Sequence, residues 1–128
     1  MCGIVGLYLK DEALKPQLGR LLSDMLVTMS DRGPDSAGIA IYSDAPEGRA
    51  KITVQSDEAD NAFGVLEHAL NDKAHFTRRD SHAVLEVAAD DVAMVRAEIE
   101  ANHPTIRIMS SGETVEIYKE VGLPADVV

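Results

Sequence analysis

The stretch RAKITVQ, residues 49–55, alternates apolar and polar side chains, and this period of two predicts a β-strand. Strand and helix patterns alternate after it. The predicted elements are a helix at 59–71, a strand at 81–88, a helix from Asp90 to about Ala101, and strands at 105–110 and 114–120. The resulting β-α-β-α-β-β order predicts an α+β unit and is compatible with a small ferredoxin-like domain.

Before this region, an amphipathic helix joins two further predicted strands. Residues 1–9 form a nearly continuous apolar run, which predicts a strand buried on both faces. A stripe of leucine and methionine side chains at steps of three and four predicts a helix at 16–29. The pair Gly33-Pro34 ends that helix, because a residue before proline avoids the α region, and a strand at 36–42 follows.

The composition indicates one acidic globular domain. The chain has 128 residues, 45% of them hydrophobic, and a net charge of −10, which disfavours nucleic acid or an anionic membrane as a partner. Its apolar runs fall short of the roughly 18 residues that a membrane helix needs, and Lys10 follows the first apolar stretch, whereas a signal peptide has its basic residues in front. A single cysteine cannot form an internal disulfide, so we expect a reducing, cytoplasmic setting.

The single cysteine, Cys2, directly follows the initiator methionine and precedes a glycine. Aminopeptidases that remove the initiator methionine accept small second residues, so Cys2 is expected to carry a free α-amine. The same residue would then hold a thiol nucleophile and an amine that is partly neutral at physiological pH and can act as the base. An isolated cysteine is more often a small core residue, so the neighbouring motif decides between the two interpretations.

MCGIVG at 1–6, followed by RGPDSAGIA at 32–40, resembles the start of the class II glutamine amidotransferases. This N-terminal-nucleophile (Ntn) hydrolase family includes glutamine phosphoribosylpyrophosphate amidotransferase, glutamine–fructose-6-phosphate aminotransferase, asparagine synthetase and glutamate synthase. The resemblance implies part of a four-layer αββα sandwich and a glutaminase that hydrolyses the side-chain amide of L-glutamine to glutamate and ammonia. It implies that Cys2 is the nucleophile, that Arg32 orients the cysteine terminus, and that Gly33 lets backbone approach the substrate. Arg32 and Gly33 would also bind that substrate.

The resemblance also divides the chain. The segment IYKEVGLPADVV (117–128) resembles one that follows the first motif closely in shorter family members, whereas a long stretch intervenes here. We therefore expect a partial glutaminase core at 1–49 and 113–128, with 50–112 as an inserted α+β subdomain. Such an insertion is similar to that of the amidotransferase subunits of archaeal-type glutamate synthase and N-methylglutamate synthase. This likeness implies a synthase partner that uses the ammonia, with flavin or iron–sulfur centres in the partner and no cofactor in this chain.

Part of the family's glutamine site has no counterpart in these residues. The sequence holds no Asn-Gly pair for the oxyanion, and HFTRR at 75–79 is an imperfect echo of the Gly-His-Thr-Arg strand that clamps the substrate carboxylate. We predict instead that 75–79 is a solvated charged loop. The 128 residues are therefore expected to be the first part of a longer amidotransferase and to be inactive alone.

Two other functions stay open. The same architecture could use the amide of glutamate or an amine as its nitrogen source, as N-methylglutamate synthase would imply. Alternatively, the chain could be a non-catalytic regulatory or binding module, in which 50–112 takes a small ligand or a partner subunit. Retention of Met1 would favour the module, because a blocked amine cannot act as a base. The four histidines lack metal-ligand spacing, so no metal site is predicted.

Overall fold

A computed structural model of the protein describes residues 2–127, and it confirms the α+β class. The helices among these residues are α1 (Leu18–Val27), α2 (Ala59–Leu70), α3 (Val92–Asn102) and α4 (Pro124–Val127). The strands are β1 (Ser36–Tyr42), β2 (Arg49–Gln55), β3 (Ala74–Arg79), β4 (His82–Ala88), β5 (Arg107–Gly112) and β6 (Val115–Val121). No helix within residues 2–127 combines the length and apolarity that a membrane crossing needs.

Four of the strands form one antiparallel sheet in the order β3-β4-β2-β5. Along the chain its elements run β2-α2-β3-β4-α3-β5, which is the β-α-β-β-α-β order of ferredoxin-like domains. The central pairing sets Ile52 opposite Leu85. Strands β3 and β4 form a hairpin whose turn contains Asp80 at a φ of 53°, a left-handed conformation that aspartate tolerates better than most residues.

One predicted element of this region is wrong, and another lies in a different sheet from the rest of the region. The segment HFTRR is not a loop, because it lies in β3 and pairs with β4, with Thr77 opposite Val84. Its polar composition hid it, since an edge strand has one neighbour and most of its side chains face solvent. The last predicted strand exists as β6, but it pairs with β1 in a separate two-stranded sheet. The predicted β-α-β-α-β-β order therefore gives way to the observed one.

The hydrophobic core lies on the face of the four-stranded sheet that packs against α2 and α3. Alternate residues of a strand point to one face, so Ile52 and Val54 reach this core from the central strand β2. Among the described residues, Phe63 on α2 is the largest fully buried side chain. Val95 and Ile99 of α3 are buried, as the helical spacing predicts. The core members are Ile52, Val54, Ala62, Phe63, Leu66, Leu70, Ala83, Leu85, Val87, Val95, Ile99 and Ile106.

The chain divides into two compact units, Ile39–Tyr118 and Met1–Gly38 with Lys119–Val128. The core just described belongs to the first. In the second, α1 has an apolar stripe, yet none of its residues is buried. A 3₁₀ helix, Glu12–Gln17, precedes α1 and contains Pro16, so the helical region begins before the predicted residue 16.

The predicted strand at the start of the chain is wrong for residues 2–9. These residues form no regular element, and Ile4 and Tyr8 are 93% and 84% exposed. A β-strand needs a neighbouring strand to pair its N–H and C=O groups, and no strand among the described residues pairs with this segment. The apolar run therefore lies along the surface of its unit with alternating exposure.

Candidate active site

Cys2 lies at the start of this unpaired segment, and its side chain is exposed. Exposure leaves the thiol accessible to a substrate, and it differs from the small core residue that an isolated cysteine usually represents. Met1, whose removal is predicted to free the α-amine, lies outside the described residues.

Gly3 places the start of the chain against Arg32. A Cβ atom built on Gly3 would lie 2.5 Å from Cε of Met29, 3.3 Å from Cβ of Arg32 and 3.5 Å from Cδ of Arg32. Because real Cβ atoms essentially never approach other heavy atoms closer than 3.0 Å, a side chain at Gly3 requires a displacement. The residue that follows Cys2 is thus packed on the aliphatic stem of Arg32.

Arg32 lies in a short 3₁₀ turn, Ser30–Arg32. The Arg32 N–H donates to the Met29 carbonyl at 2.9 Å, and the Gly33 N–H donates to the Ser30 carbonyl at 3.2 Å. Side chains three residues apart eclipse in a 3₁₀ turn, so Met29 and Arg32 project to the same side. This local geometry explains why both contact the same glycine.

Gly33 has φ −154° and ψ 72°, outside the α region, as the following proline predicts. A Cβ atom built on Gly33 would have its nearest neighbour, the Ser36 carbonyl oxygen, 4.0 Å away. The space beside Gly33 is therefore open. The turn is tied to the end of β6 through the backbone, because the Gly122 N–H donates to the Asp35 carbonyl at 3.0 Å.

A second group of polar side chains lies in the unit Ile39–Tyr118, and no local sequence pattern indicates it. The ammonium of Lys51, a side chain only 7% exposed, donates to the Ser43 carbonyl (2.7 Å), to Ser43 Oγ (3.0 Å) and to Glu116 (3.0 Å). The other Glu116 oxygen accepts from the Tyr118 hydroxyl at 2.9 Å, and the Tyr118 ring lies 5.4 Å from that of His82. All three ammonium protons have acceptors, so Lys51 has a structural role here.

The environment of Tyr118 favours its neutral form. Burial, the hydrogen bond to Glu116 and the charge of that carboxylate together raise the pKa of Tyr118 to about 12, while the nearby Arg79 opposes the rise. In an unfolded chain the same phenol titrates near pH 10. Tyr118 therefore contributes stability that is complete below about pH 10 and is lost as the pH rises towards 12.

We expect Tyr118→Phe to reduce the slope with which the free energy of unfolding falls between about pH 10 and 12. Between about pH 10 and 12 the unfolded wild-type chain releases the Tyr118 proton before the folded chain does, so rising pH favours unfolding. Phenylalanine has no such proton. Urea unfolding at several pH values across this window measures the slope for both proteins. Equal slopes would contradict the assignment of the raised pKa to Tyr118, whatever the difference in absolute stability.

A concave surface of about 650 Å³ lies at the start of α2 and is lined by acidic side chains, among them Asp57, Glu58, Asp60 and Asp80. Asp57 also forms an ion pair with Arg107 at 3.3 Å. Across residues 2–127, no group of His, Cys, Asp or Glu side chains has an arrangement that could hold a metal ion. The concave surface lacks a thiol and an imidazole, so the nucleophilic chemistry predicted from the sequence does not reside there.

Comparison with known proteins bears on the N-terminal motif. Over 131 aligned residues the chain is 57% identical to the Glutamine amidotransferase-like protein GlxB of Rhizobium meliloti (strain 1021). The chain is similar to a glutamine amidotransferase-like protein. The match covers 100% of this chain and 44% of that relative, so the chain spans less than half of the relative's length. No family model matches the chain, and no solved structure matches it. The name of that relative agrees with the family that MCGIVG and RGPDSAGIA resemble.

Proposed function

We propose that the chain supplies the nucleophile of a class II glutamine amidotransferase. The observation that carries this proposal is the packing of Gly3 on Arg32, which brings the residue after Cys2 to the arginine turn. The similarity to a glutamine amidotransferase-like protein over the whole chain supports the reaction class. In this proposal 1–49 and 113–128 form part of an N-terminal-nucleophile αββα sandwich, into which 50–112 is inserted.

The proposed reaction uses both groups of a processed Cys2. The α-amine takes the proton of the thiol, and the sulfur attacks the side-chain amide carbon of L-glutamine, forming a C–S bond. The C–N bond then breaks, and the departing nitrogen takes the proton back from the α-ammonium and leaves as ammonia. Water hydrolyses the thioester, which releases glutamate and restores the thiol. The ammonia passes to a synthase partner.

Arg32 and Gly33 have distinct tasks in this proposal. Arg32 orients the cysteine terminus, because the aliphatic part of its side chain packs against Gly3, the residue after Cys2. Gly33 has no Cβ, and the space around it is open, so a substrate can approach its backbone. An extended φ at Gly33 is available to any residue, so this argument depends on space and not on backbone conformation.

We propose further that these 128 residues alone turn over glutamine slowly or not at all. The sequence holds no Asn-Gly pair to stabilise the oxyanion, and one oxyanion donor is typically worth about 3–4 kcal/mol of barrier. The segment HFTRR, an imperfect match to the strand that clamps the substrate carboxylate, lies in β3. The chain therefore carries a positioned nucleophile without the rest of a glutamine site.

The test compares the processed chain with a variant that has one alanine inserted between Met1 and Cys2. Removal of Met1 then leaves the thiol in place but moves the free amine to the inserted alanine. Intact mass spectrometry first establishes the N-terminus of each protein. We expect the glutamine-like electrophile 6-diazo-5-oxo-norleucine to modify Cys2 of the processed chain about 100-fold faster than in the variant, the usual contribution of a general base.

Iodoacetamide serves as the control reagent, because it reports thiol accessibility without resembling glutamine. Two outcomes would overturn the proposal that the α-amine activates Cys2, and would favour the non-catalytic module. One is that the diazo reagent modifies both proteins at the same rate, and the other is that the mature protein retains Met1. Glutamine hydrolysis by the 128 residues is expected to match the buffer blank. Hydrolysis that Cys2→Ala abolishes would overturn the proposed inactivity of the chain alone.

A further inference from the structure

We infer that Met29 and Arg32 clamp Gly3 and thereby hold Cys2 at the arginine turn, which makes Gly3 and Met29 positioning residues of the proposed nucleophile. The inference rests on the proposed function, since the position of a thiol matters to catalysis only if the thiol reacts. The contact itself is independent of that function, because the distances from Gly3 to the two side chains describe packing alone.

The requirement for glycine at position 3 is steric. The glycines with positive φ are Gly48 and Gly122 among the described residues, so Gly3 has a backbone that other residues can adopt. What excludes a side chain is the space, which Cε of Met29 and Cβ of Arg32 already occupy. Gly6, three residues further on, has no heavy atom within 4 Å of the position that a Cβ atom would take, so a side chain fits there freely.

The two sides of the clamp differ in how far they can yield. Cε of Met29 is the end of a flexible, unbranched side chain and can rotate away from an added methyl group. Cβ of Arg32 is fixed to the backbone of the 3₁₀ turn, whose hydrogen bonds hold it in place. An alanine at position 3 therefore displaces the Met29 side chain and also shifts the chain start relative to Arg32 by a few tenths of an ångström.

The experiment measures the rate at which 6-diazo-5-oxo-norleucine modifies Cys2 in a graded series of variants. A misplacement of 1 Å can cost about 100-fold in rate. From that scale we expect about a threefold to tenfold loss for Gly3→Ala and about a 100-fold loss for Gly3→Val. Gly6→Ala, the same change in the same segment, is expected to react like the wild type. Met29→Ala combined with Gly3→Ala is expected to restore part of the lost rate, because the shortened side chain leaves room for the new methyl group.

A spectroscopic measurement follows the clamp without reference to reactivity. In protein labelled with ¹³C at the methionine methyl groups, the Met29 signal, assigned with Met29→Ala, is expected to shift in Gly3→Ala and to stay in place in Gly6→Ala. Circular dichroism verifies that each variant is folded.

The outcomes separate the inference from the proposed function. In one outcome, the wild-type chain fails to react with the diazo reagent, but the Met29 methyl signal shifts in Gly3→Ala. This result would overturn the proposed function and the positioning role, and it would leave the contact between Gly3 and Met29 intact. A wild-type chain that reacts in the amine-dependent manner, with equal rates in Gly3→Ala and Gly6→Ala, would overturn the positioning role and leave the proposed function standing. If Met29→Ala restores part of the modification rate that Gly3→Ala loses, the result supports the clamp. If it restores none, the lost rate is due to another contact and the clamp is overturned.

Discussion

Phe63→Ala is expected to lower the free energy of unfolding by about 3–5 kcal/mol, the typical cost of removing a buried aromatic side chain. Phe63 is 0% exposed and is the largest fully buried side chain of the described residues. It lies on α2 in the cluster that joins both helices to the four-stranded sheet. The loss combines the missing hydrophobic transfer energy with the cavity that a close-packed core cannot refill. Urea unfolding followed by circular dichroism measures the change.

Val65→Ala is the matched control, because it lies on the same helix two residues further on and is 53% exposed. Its substitution is expected to change the free energy of unfolding by at most about 0.5 kcal/mol, as at other surface positions. If the two substitutions cost the same, the assignment of Phe63 to the core is wrong. A large loss of stability for Phe63→Ala alone would support the placement of the core on the face of the four-stranded sheet that packs against α2 and α3.

Lys51→Met is the second substitution for which a large loss of stability is expected. It removes the ammonium while keeping most of the side-chain volume, and it leaves the Glu116 carboxylate, only 18% exposed, without its cation. Breaking one side of a fully buried pair typically costs about 3–5 kcal/mol. Because Glu116 keeps the hydrogen bond from Tyr118 and some access to water, we expect about 2–4 kcal/mol here. The same urea unfolding measurement applies.

Two controls separate charge from packing. The double variant Lys51→Met with Glu116→Leu is expected to recover much of the loss, because no uncompensated charge remains. Arg78→Met breaks a pair with Glu67 at the same 3.0 Å distance but with 43% and 50% exposed side chains, and we expect at most about 1 kcal/mol. A double variant as unstable as Lys51→Met would show that the loss comes from packing and not from the buried charge.

The sequence predicted the elements that carry strong local patterns. The strand predicted at 49–55 is observed as Arg49–Gln55, and the helix predicted at 59–71 is observed as Ala59–Leu70. The strand at 81–88 and the helix from Asp90 to Ala101 are observed within two residues of their predicted ends. These segments bury a face, so the periodicity of their apolar residues follows from the contacts that they make.

The misses occur where pairing partners, and not local patterns, determine the structure. The apolar run at 1–9 looks like a buried strand, but its described residues pair with no other strand. The polar segment 75–79 looks like a loop, yet β4 supplies it with a full ladder of partners. Lys51 stands between apolar neighbours and looks like a solvent-facing position of an alternating strand. Glu116, 65 residues away, balances its charge, and Ser43, eight residues away in the loop before β2, accepts two further hydrogen bonds, so Lys51 can be buried.

For the candidate site, the sequence by itself determined the reactive group and its motif: one thiol at position 2, a glycine after it, and an Arg-Gly turn after one helix. Only the tertiary structure decided that Gly3 lies on Arg32 and Met29, and that β6 pairs with β1 and not with the four-stranded sheet. The physical reason is the range of the interactions. Hydrophobic periodicity and turn chemistry act between residues a few positions apart, so they can be read along the chain. Steric fit and strand pairing join residues far apart in sequence, and these contacts exist only once the chain has folded.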